Sequence, residues 1–475
     1  MLVASSTSGF QGISRLKYDV VIVGAGPAGI FSALELTEKT KLSILMLDRG
    51  QDINQRKCPA SRGYECVNCD PCTVLSGWGG AGAFSDGKLT LSTEVGGWLS
   101  QYVSVRELQE LVNYADSIYL KYGATEHTYG EGVEKIEEIE RKASLAGLKL
   151  IRQKIRHMGT ERCAQTLRKM RQELNGKVEF KPRTDVKGLI VKDGVVDGVE
   201  TADGAKYFAK YVIAAPGRSG AEWLQTEAQA MGLKTLNNPV DIGVRVEVLA
   251  SVMEELTSVL YEPKLIYYSK SFDDQVRTFC VAPHGEVITE SYDGVLTVNG
   301  QSYAERKTEN TNFAILVSTS FTEPFKEPIA YGKYVARLGN LLSGSVIVQR
   351  LGDLESGRRS TPERIARSVV TPTLKNATPG DLSFVSPYRY LADIREMLQA
   401  LDKLTPGLHS RDTLLYGIEV KFYSSRLQLT PCLETKVHNL FTIGDGAGVT
   451  RGLIQASASG VIASREIVKR EQQKE

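Results

Sequence analysis

One stretch constrains the fold more than any other: Tyr18-Asp-Val-Val-Ile-Val-Gly-Ala-Gly-Pro-Ala-Gly-Ile30. The β-branched run Val20 to Val23 stops at Gly24, and Gly24-Ala25-Gly26-Pro27-Ala28-Gly29 then fits G-x-G-x-x-G. Ile30, Ala33 and Leu34 follow at helical spacing. The order is buried strand, tight glycine turn, helix. Gly24 permits the turn, Gly26 lets the backbone approach a pyrophosphate, and Gly29 lets helix and strand pack closely. The helix N-terminus, from Pro27 and Ala28, offers free N–H groups and a positive dipole end. A second apolar run, Ser43 to Leu47, ends in Asp48-Arg49. An acid at that place accepts hydrogen bonds from an adenosine ribose.

The chain has 475 residues, too many for one core, so two or three domains are expected. Its net charge of +2 creates no whole-chain field for nucleic acid. Residues 1–16 lack an apolar run long enough for a secretory signal, and no stretch has the length and apolarity of a membrane span. A cytoplasmic protein is therefore expected. Four of the seven cysteines, Cys58, Cys66, Cys69 and Cys72, fall within fifteen positions. In a reducing compartment such clustering points to metal or redox chemistry sooner than to a disulfide framework.

Residues 51–98 carry little periodicity but hold Ser76-Gly-Trp-Gly-Gly-Ala-Gly-Ala-Phe-Ser-Asp-Gly-Lys88. The four glycines Gly77, Gly79, Gly80 and Gly82 allow unusual backbone angles and close approach to something flat or anionic. Residues 101–175 read as helical, with an acidic block at 131–140 and a basic one at 152–171 that are solvated faces or mutual partners. Short strands follow at 178–213, ending in Tyr211-Val-Ile-Ala-Ala-Pro-Gly217. From Asn237 to about Thr373 the pattern is strand-rich, a mixed sheet separate from the nucleotide domain. The last hundred residues return to strand, glycine turn and helix: Leu440-Phe-Thr-Ile-Gly-Asp-Gly-Ala-Gly448, then a small-residue helix from about Leu453.

Together these pieces resemble the glutathione-reductase-type FAD proteins. Three features carry the resemblance. They are the Gly24/Gly26/Gly29 fingerprint with Asp48, the turn Ala214-Ala-Pro-Gly217, and Thr442-Ile-Gly-Asp-Gly-Ala-Gly448 with its acid for a ribityl chain. More narrowly, the chain is similar to a largely uncharacterised family of bacterial and archaeal FAD-dependent dehydrogenases. The stretches 76–88, Asp241-Ile-Gly-Val-Arg245, Val298-Asn-Gly-Gln-Ser302 and Gly417-Ile-Glu419 carry this. Ala282, His284 and Lys421 depart from that pattern, standing where Cys, Gly and Arg are expected. The fold implied is α/β: a Rossmann-like FAD-binding domain of glutathione-reductase type with an inserted strand-rich α+β substrate domain. The expected division is 1–100, 176–236 and 374–475 for the discontinuous FAD domain, 101–175 for a helical insertion, and 237–373 for the substrate domain.

The function implied is that of an FAD-dependent oxidoreductase passing hydride or electrons between FAD and a small-molecule substrate. The resemblance places the FAD at the residues named above together with Lys88, Ala215, Gly217, Gly444, Asp445, Gly448, Gly452 and Leu453. The helix beginning near Gly452 would turn its positive end to the flavin N1–C2=O edge and favour the reduced form. No second G-x-G-x-x-G lies between a strand and a helix, so no stable nicotinamide domain is expected. Electrons would come from the substrate, from NAD(P)H visiting the flavin, or from an electron carrier. His284 in the presumed substrate sheet is a candidate acid or base, against an ordinary structural histidine. Lys88 and Lys421 are candidates for charge near the flavin or for substrate-anion binding, against ordinary surface lysines. Three other readings stay open: an isoprenoid or alkene reductase, a flavin-dependent RNA-modifying protein using the basic stretch 152–183, and a regulatory flavoprotein. The cysteines also leave three: packing thiols, an iron–sulfur cluster or zinc on Cys58, Cys66, Cys69 and Cys72, and a redox pair.

Overall fold

The structure, a computed structural model, describes residues 16–59, 67, 69–236, 239–292, 294–303, 306–319, 327–421 and 426–474. The strand Leu16–Val23 (β1) is central to the first sheet. It pairs in parallel with Ile44–Asp48 (β2) on one side and Lys206–Ala214 on the other. Val20, Val21 and Ile22 are fully buried, which is why the run is continuously apolar and not alternating. Glu179–Pro182 extends the sheet beyond β2 in parallel. The strand Leu440–Thr442, from the far end of the chain, pairs in parallel with the end of Lys206–Ala214, whose start carries the antiparallel hairpin Val186–Lys192/Val195–Thr201. The expected Rossmann-like core is present, with both glycine-motif strands in one sheet.

Two helices cover one face of this sheet: Pro27–Lys39 (α1) and the C-terminal Leu453–Gln472. They touch along small residues. A Cβ on Gly460 would lie 2.2 Å from the Ala28 carbonyl oxygen, and the Ser464 hydroxyl donates to the Ser32 carbonyl at 3.2 Å. Between them, the fully buried Glu35 carboxylate accepts from Lys39 (2.7 Å), Tyr114 (2.6 Å) and Arg465 (2.9 Å). Burial alone would raise its pKa, but these donors outweigh that and hold it below the ordinary value.

The second sheet runs Thr378–Pro379, Ile347–Arg350, Leu414–Lys421, Val240–Leu249, Asn310–Thr319, Gln275–Ala282, Lys264–Tyr268, Lys149–Ile151. Its central strand alternates with period two. Val240, Ile242, Val244, Val246 and Val248 join one apolar core with residues of the helices Ala250–Leu260 and Tyr388–Leu404. Asp241, Arg245 and Glu247 project to the other face, and all three are buried.

This sheet takes in more chain than 237–373. Leu414–Lys421 pairs with the central strand from Asp241↔Lys421 to Glu247↔Leu414, so the boundary expected at 373 falls inside the unit. The cause is backbone pairing: without Leu414–Lys421 the buried strand Val240–Leu249 would be a sheet edge with its outer N–H and C=O groups unpaired. Residues 101–175 hold the expected helices, Val105–Lys121, Val133–Leu145 and Thr160–Glu173. They also hold Lys149–Ile151, which closes the second sheet, and Ile155–His157, which pairs with Lys88–Thr90. The acidic and basic blocks are mutual partners: Arg152 pairs with Glu140 and Lys154 with Glu131. Among the described residues no helix is long and apolar enough to cross a membrane.

Candidate functional site

The glycines of the N-terminal motif separate by what surrounds them. A Cβ on Gly24, which has φ +105°, would meet the Ala215 carbonyl oxygen at 2.1 Å, and one on Gly29 would meet the Gly24 carbonyl oxygen at 2.1 Å. Both positions are required by the protein's own packing. Gly26 is different: the nearest atom to its added Cβ is the Gly80 Cα, 3.9 Å away. It adopts an ordinary extended conformation, with φ −76°. Nothing in the protein demands glycine there except the space itself. The second glycine loop packs directly against Gly26, held by the Gly79 N–H donating to the Ala25 carbonyl at 2.7 Å. The two loops meet at Gly26 and Gly80 and present bare backbone beside the N-terminus of α1, a slot-like edge whose donors suit a pyrophosphate.

The other two turns complete the slot's surroundings. The Ala215 N–H donates to the Val23 carbonyl at 2.7 Å, and the Gly217 carbonyl oxygen would lie 2.4 Å from a Cβ on Gly446. Gly217 and Gly452 have positive φ, +64° and +79°, with nothing within 4 Å of an added Cβ. Gly448 is left-handed and its N–H donates to the Asp445 carbonyl at 3.1 Å. Leu453 opens the C-terminal helix directly after Gly452. The residues present therefore fit an extended dinucleotide along four turns.

Asp48 sits at the end of β2 as expected, but three backbone donors already reach it. Its Oδ2 accepts from Ala25 (2.8 Å), and its Oδ1 accepts from Gly50 and Gly77 (2.7 Å each). It ties the two glycine loops together and retains limited acceptor capacity for a ribose. Arg49 pairs with Asp70 at 2.9 Å on the surface. Asp445 accepts from the Thr450 hydroxyl at 2.8 Å, with the Arg218 Nε at 3.8 Å; burial pushes its carboxyl above the ordinary pKa. Sequence reasoning missed Arg56. It is buried, donates to the Thr73, Val74 and Trp78 carbonyls, and braces the second glycine loop from below.

Lys88, at the exit of that loop, reaches the second domain. Its ammonium lies 3.1 Å from Glu262, 3.3 Å from Asp86 and 3.2 Å from the Val281 carbonyl. Burial would lower its pKa, but Asp86, Cys280 and Glu262 raise it well above the ordinary value, so it stays charged. Lys421 lies on the polar sheet face, 3.0 Å from Glu419 and in register with Asp241. His284 is elsewhere: its Nδ1 lies 3.0 Å from the Thr308 carbonyl and its Nε2 3.3 Å from Glu254, a carboxylate on the outer helix Ala250–Leu260. The structure thus brings Lys88 and Lys421 toward the polar sheet face and ties His284 to another side. His157, which the sequence did not flag, is in register with Lys88; burial lowers its pKa to about 4 and keeps it neutral.

The polar face carries groups that no motif announced. Asp241 pairs with Arg277 and accepts from the Ser318 hydroxyl at 2.7 Å. Arg245 donates to Asn312 (2.8 Å) and to the Cys280 carbonyl (2.6 Å), and lies 3.5 Å from Glu419. Arg451, one residue before Gly452, stacks on Trp98 at 5.6 Å and feels the charges of Asp241, Arg277 and Arg218. The loop that carries it is clasped from residues 95–98, with the Trp98 N–H donating to Val449 at 2.9 Å and the Arg451 N–H to Gly96 at 2.6 Å. The only sequence signal was the strict alternation Asp241-x-x-x-Arg245-x-Glu247 against valines and isoleucine.

Of the four clustered cysteines, Cys66 lies outside the described residues. Cys58 is buried, and Cys69 and Cys72 are free thiols. Among the described residues no group of three or more His, Cys, Asp and Glu is arranged to hold a metal. Cys69 is exposed and accepts from the Thr73 N–H at 3.5 Å, which lowers its pKa, with Cys72 also within hydrogen-bonding reach.

Residues 239–422 match the family described as "FAD-dependent protein, C-terminal domain-like". An uncharacterized protein of Clostridium beijerinckii is 27% identical over 492 residues, covering 97% of this chain and 82% of its own length. Among solved structures, formate oxidase of Aspergillus oryzae RIB40 is similar over 98% of this chain and 100% of its own, at 12% identity and a TM-score of 0.47. A geranylgeranyl bacteriochlorophyll reductase-like protein of Thermoplasma acidophilum is similar over 97% and 80%, at 14% identity and a TM-score of 0.43. The matched segment is the one that supplies most strands of the second sheet.

Proposed function

We propose that this chain is an FAD-dependent oxidoreductase of glutathione-reductase type, related in kind to the bacterial and archaeal FAD-dependent dehydrogenases. It passes hydride or electrons between FAD and a small molecule admitted beneath the polar face of the second sheet, and it works in the cytoplasm. The observation that carries this is the bare face of Gly26 beside the start of α1, where an added Cβ meets nothing nearer than the Gly80 Cα at 3.9 Å. Gly24, Gly26 and Gly29 and the start of α1 hold the pyrophosphate, Asp48 uses its remaining acceptor capacity on the adenosine ribose, and Asp445 takes the ribityl chain. Bound there, FAD supplies two-electron chemistry. The protein's share is orientation and exclusion of water. The second sheet brings charged side chains, and not an apolar surface, over the C-terminal glycine turn.

The test is purification followed by anaerobic titration with NADH, NADPH and dithionite, read in the visible spectrum. The expected protein carries bound FAD that dithionite bleaches, and the nicotinamide arms identify or eliminate a visiting nucleotide as donor. A colourless protein that takes up no FAD on reconstitution would end this reading.

A further inference from the structure

Lys264, at one end of the polar face, lies in the field of two guanidinium groups, Arg277 and Arg451. Arg277 and Lys264 lie on neighbouring antiparallel strands, where the pairs Ile266↔Arg277 and Tyr268↔Gln275 set both side chains on the same face. Arg451 reaches them from the loop before the C-terminal helix, and the charges of Arg277 and Arg451 both act on Lys264. The carboxylate they share is Asp241, already paired with Arg277. Glu262 lies on the Lys264 side, but it is 3.1 Å from Lys88 and serves that ammonium. Among the described residues, the Lys264 ammonium makes no hydrogen bond or ion pair.

Burial and the two guanidinium groups push the Lys264 amine down to about 8. A half-buried cation in the field of two others costs folding free energy, and an apolar side chain of the same length would not. Such a group is retained where a ligand completes its surroundings. Guanidinium groups beside an ammonium are the donor set for a planar or tetrahedral oxyanion. The place is specific as well: Arg451 adjoins Gly452, the turn that borders the cofactor slot.

We infer that Lys264, Arg277 and Arg451 bind the acidic group of an organic oxyanion, a carboxylate or a phosphate ester, and that this is the substrate's handle. The inference rests on the flavoprotein reading. The bound anion offsets the excess positive charge and holds the rest of the substrate against the C-terminal glycine turn. Lys264 binds as its ammonium, so affinity is full below about pH 8 and falls as pH rises through that value. The charged groups facing it are Arg277 on the adjacent strand, Asp241 beyond it, Arg451 from the loop and Glu262 on its own segment; the strand on its other side presents Ile151.

The test uses the FAD-loaded protein with benzoate, phenyl phosphate and the neutral benzamide, each titrated against the visible flavin band between pH 6.5 and 9. At least one oxyanion is expected to bind ten times or more tightly than benzamide, and the two oxyanion arms decide between carboxylate and phosphate. Lys264→Met should weaken that binding about tenfold and flatten its pH dependence, with FAD occupancy unchanged. Lys264→Arg should restore the affinity without the pH dependence. Equal binding of benzamide, no response to either oxyanion, or wild-type affinity in Lys264→Met each overturns the inference. Loss of FAD itself is read separately from the band's intensity and would count against the flavoprotein reading instead.

Discussion

Gly26→Ala and Gly29→Ala, three residues apart in one turn, should fail in opposite ways. At position 29 the new Cβ lies 2.1 Å from the Gly24 carbonyl oxygen and 3.2 Å from the Ile22 side chain. The first contact is with backbone, which has no rotamer to yield. Overpacking of this kind costs roughly 3 kcal/mol or more, the upper part of the usual range. For a domain of this size that is about 6–12 °C in Tm. At position 26 the Cβ meets no protein atom nearer than 3.9 Å, and φ is already in the ordinary region. Alanine at a helix N-cap costs about 1 kcal/mol, while removing a glycine's unfolded-state freedom returns roughly 0.4–1 kcal/mol. The FAD-free protein should therefore keep its Tm within about 2 °C. The same methyl group projects into the slot. Loss of one charge-assisted hydrogen bond to a phosphate, about 1.5–3 kcal/mol, lowers FAD affinity roughly 10- to 150-fold. Differential scanning fluorimetry of FAD-free protein and fluorescence titration with FAD separate the two effects. Wild-type FAD affinity in Gly26→Ala would refute the assignment of the slot. A Tm loss there equal to that of Gly29→Ala would refute the packing argument.

Glu35→Gln should destabilise the fold by about 2–4 kcal/mol at pH 7, because three donors lose a buried carboxylate. Its pKa is depressed in the fold, so that stability is present above the unfolded value and lost as pH falls through the folded one; urea curves of wild type and variant should converge there. Asp393 runs the other way: burial and Asp274 raise its carboxyl to about 6, so it loses the fold stability as pH rises through that value. Asp393→Asn should be more stable than wild type at pH 8 and lose the advantage at pH 5, measured by Tm. Iodoacetamide at pH 7 should label the exposed Cys69 first and leave Cys163, buried and pushed up to about 12, until last; the reverse order by mass spectrometry contradicts the thiol environments. Arg156→Lys should cost about 2–3 kcal/mol in denaturant unfolding, since a lysine cannot bond Asp116 through two nitrogens at 2.7 Å and also reach the Thr125 and Glu126 carbonyls.

The first sheet was legible because its strands advertise themselves. A run such as Val20 to Val23 is buried on both faces and stops at a glycine whose φ of +105° few other residues adopt. The return of that pattern at Leu440 told that the chain's ends share one sheet, and the pairing of Leu440–Thr442 with Lys206–Ala214 shows it. The limits of the second sheet were not legible. Leu414–Lys421 reads like another strand of the nucleotide domain, since its place beside Val240–Leu249 depends on pairing across more than 160 residues. Asp48 shows a subtler gap: its position was predictable, whereas its bonds to Ala25, Gly50 and Gly77 depend on a loop twenty-nine residues away.

His284 and Lys264 show why chemistry was harder to read than fold. A histidine in a strand-rich segment draws attention by residue type, yet its ring is committed to Thr308 and Glu254. A lysine at the start of a strand draws none. What sets Lys264 apart is which neighbours arrive from elsewhere: Arg277 by strand pairing, Arg451 from a loop almost two hundred residues downstream. The informative signal lay in the central strand. An antiparallel sheet with one face on a core normally turns its other face to water, and polar residues there need no partners. Here Asp241, Arg245 and Glu247 are buried instead, so each needs partners supplied by other parts of the chain. Glu247 accepts from Asn310, Thr373 and Tyr416 and is satisfied within its own domain. Asp241 pairs with Arg277 and accepts from Ser318 on its own sheet, and Arg451 adds its charge from the loop before the C-terminal helix. That charge from outside the sheet, present at the Asp241 end and not at the Glu247 end, is what sets the corner proposed for an anion apart from the rest of this face.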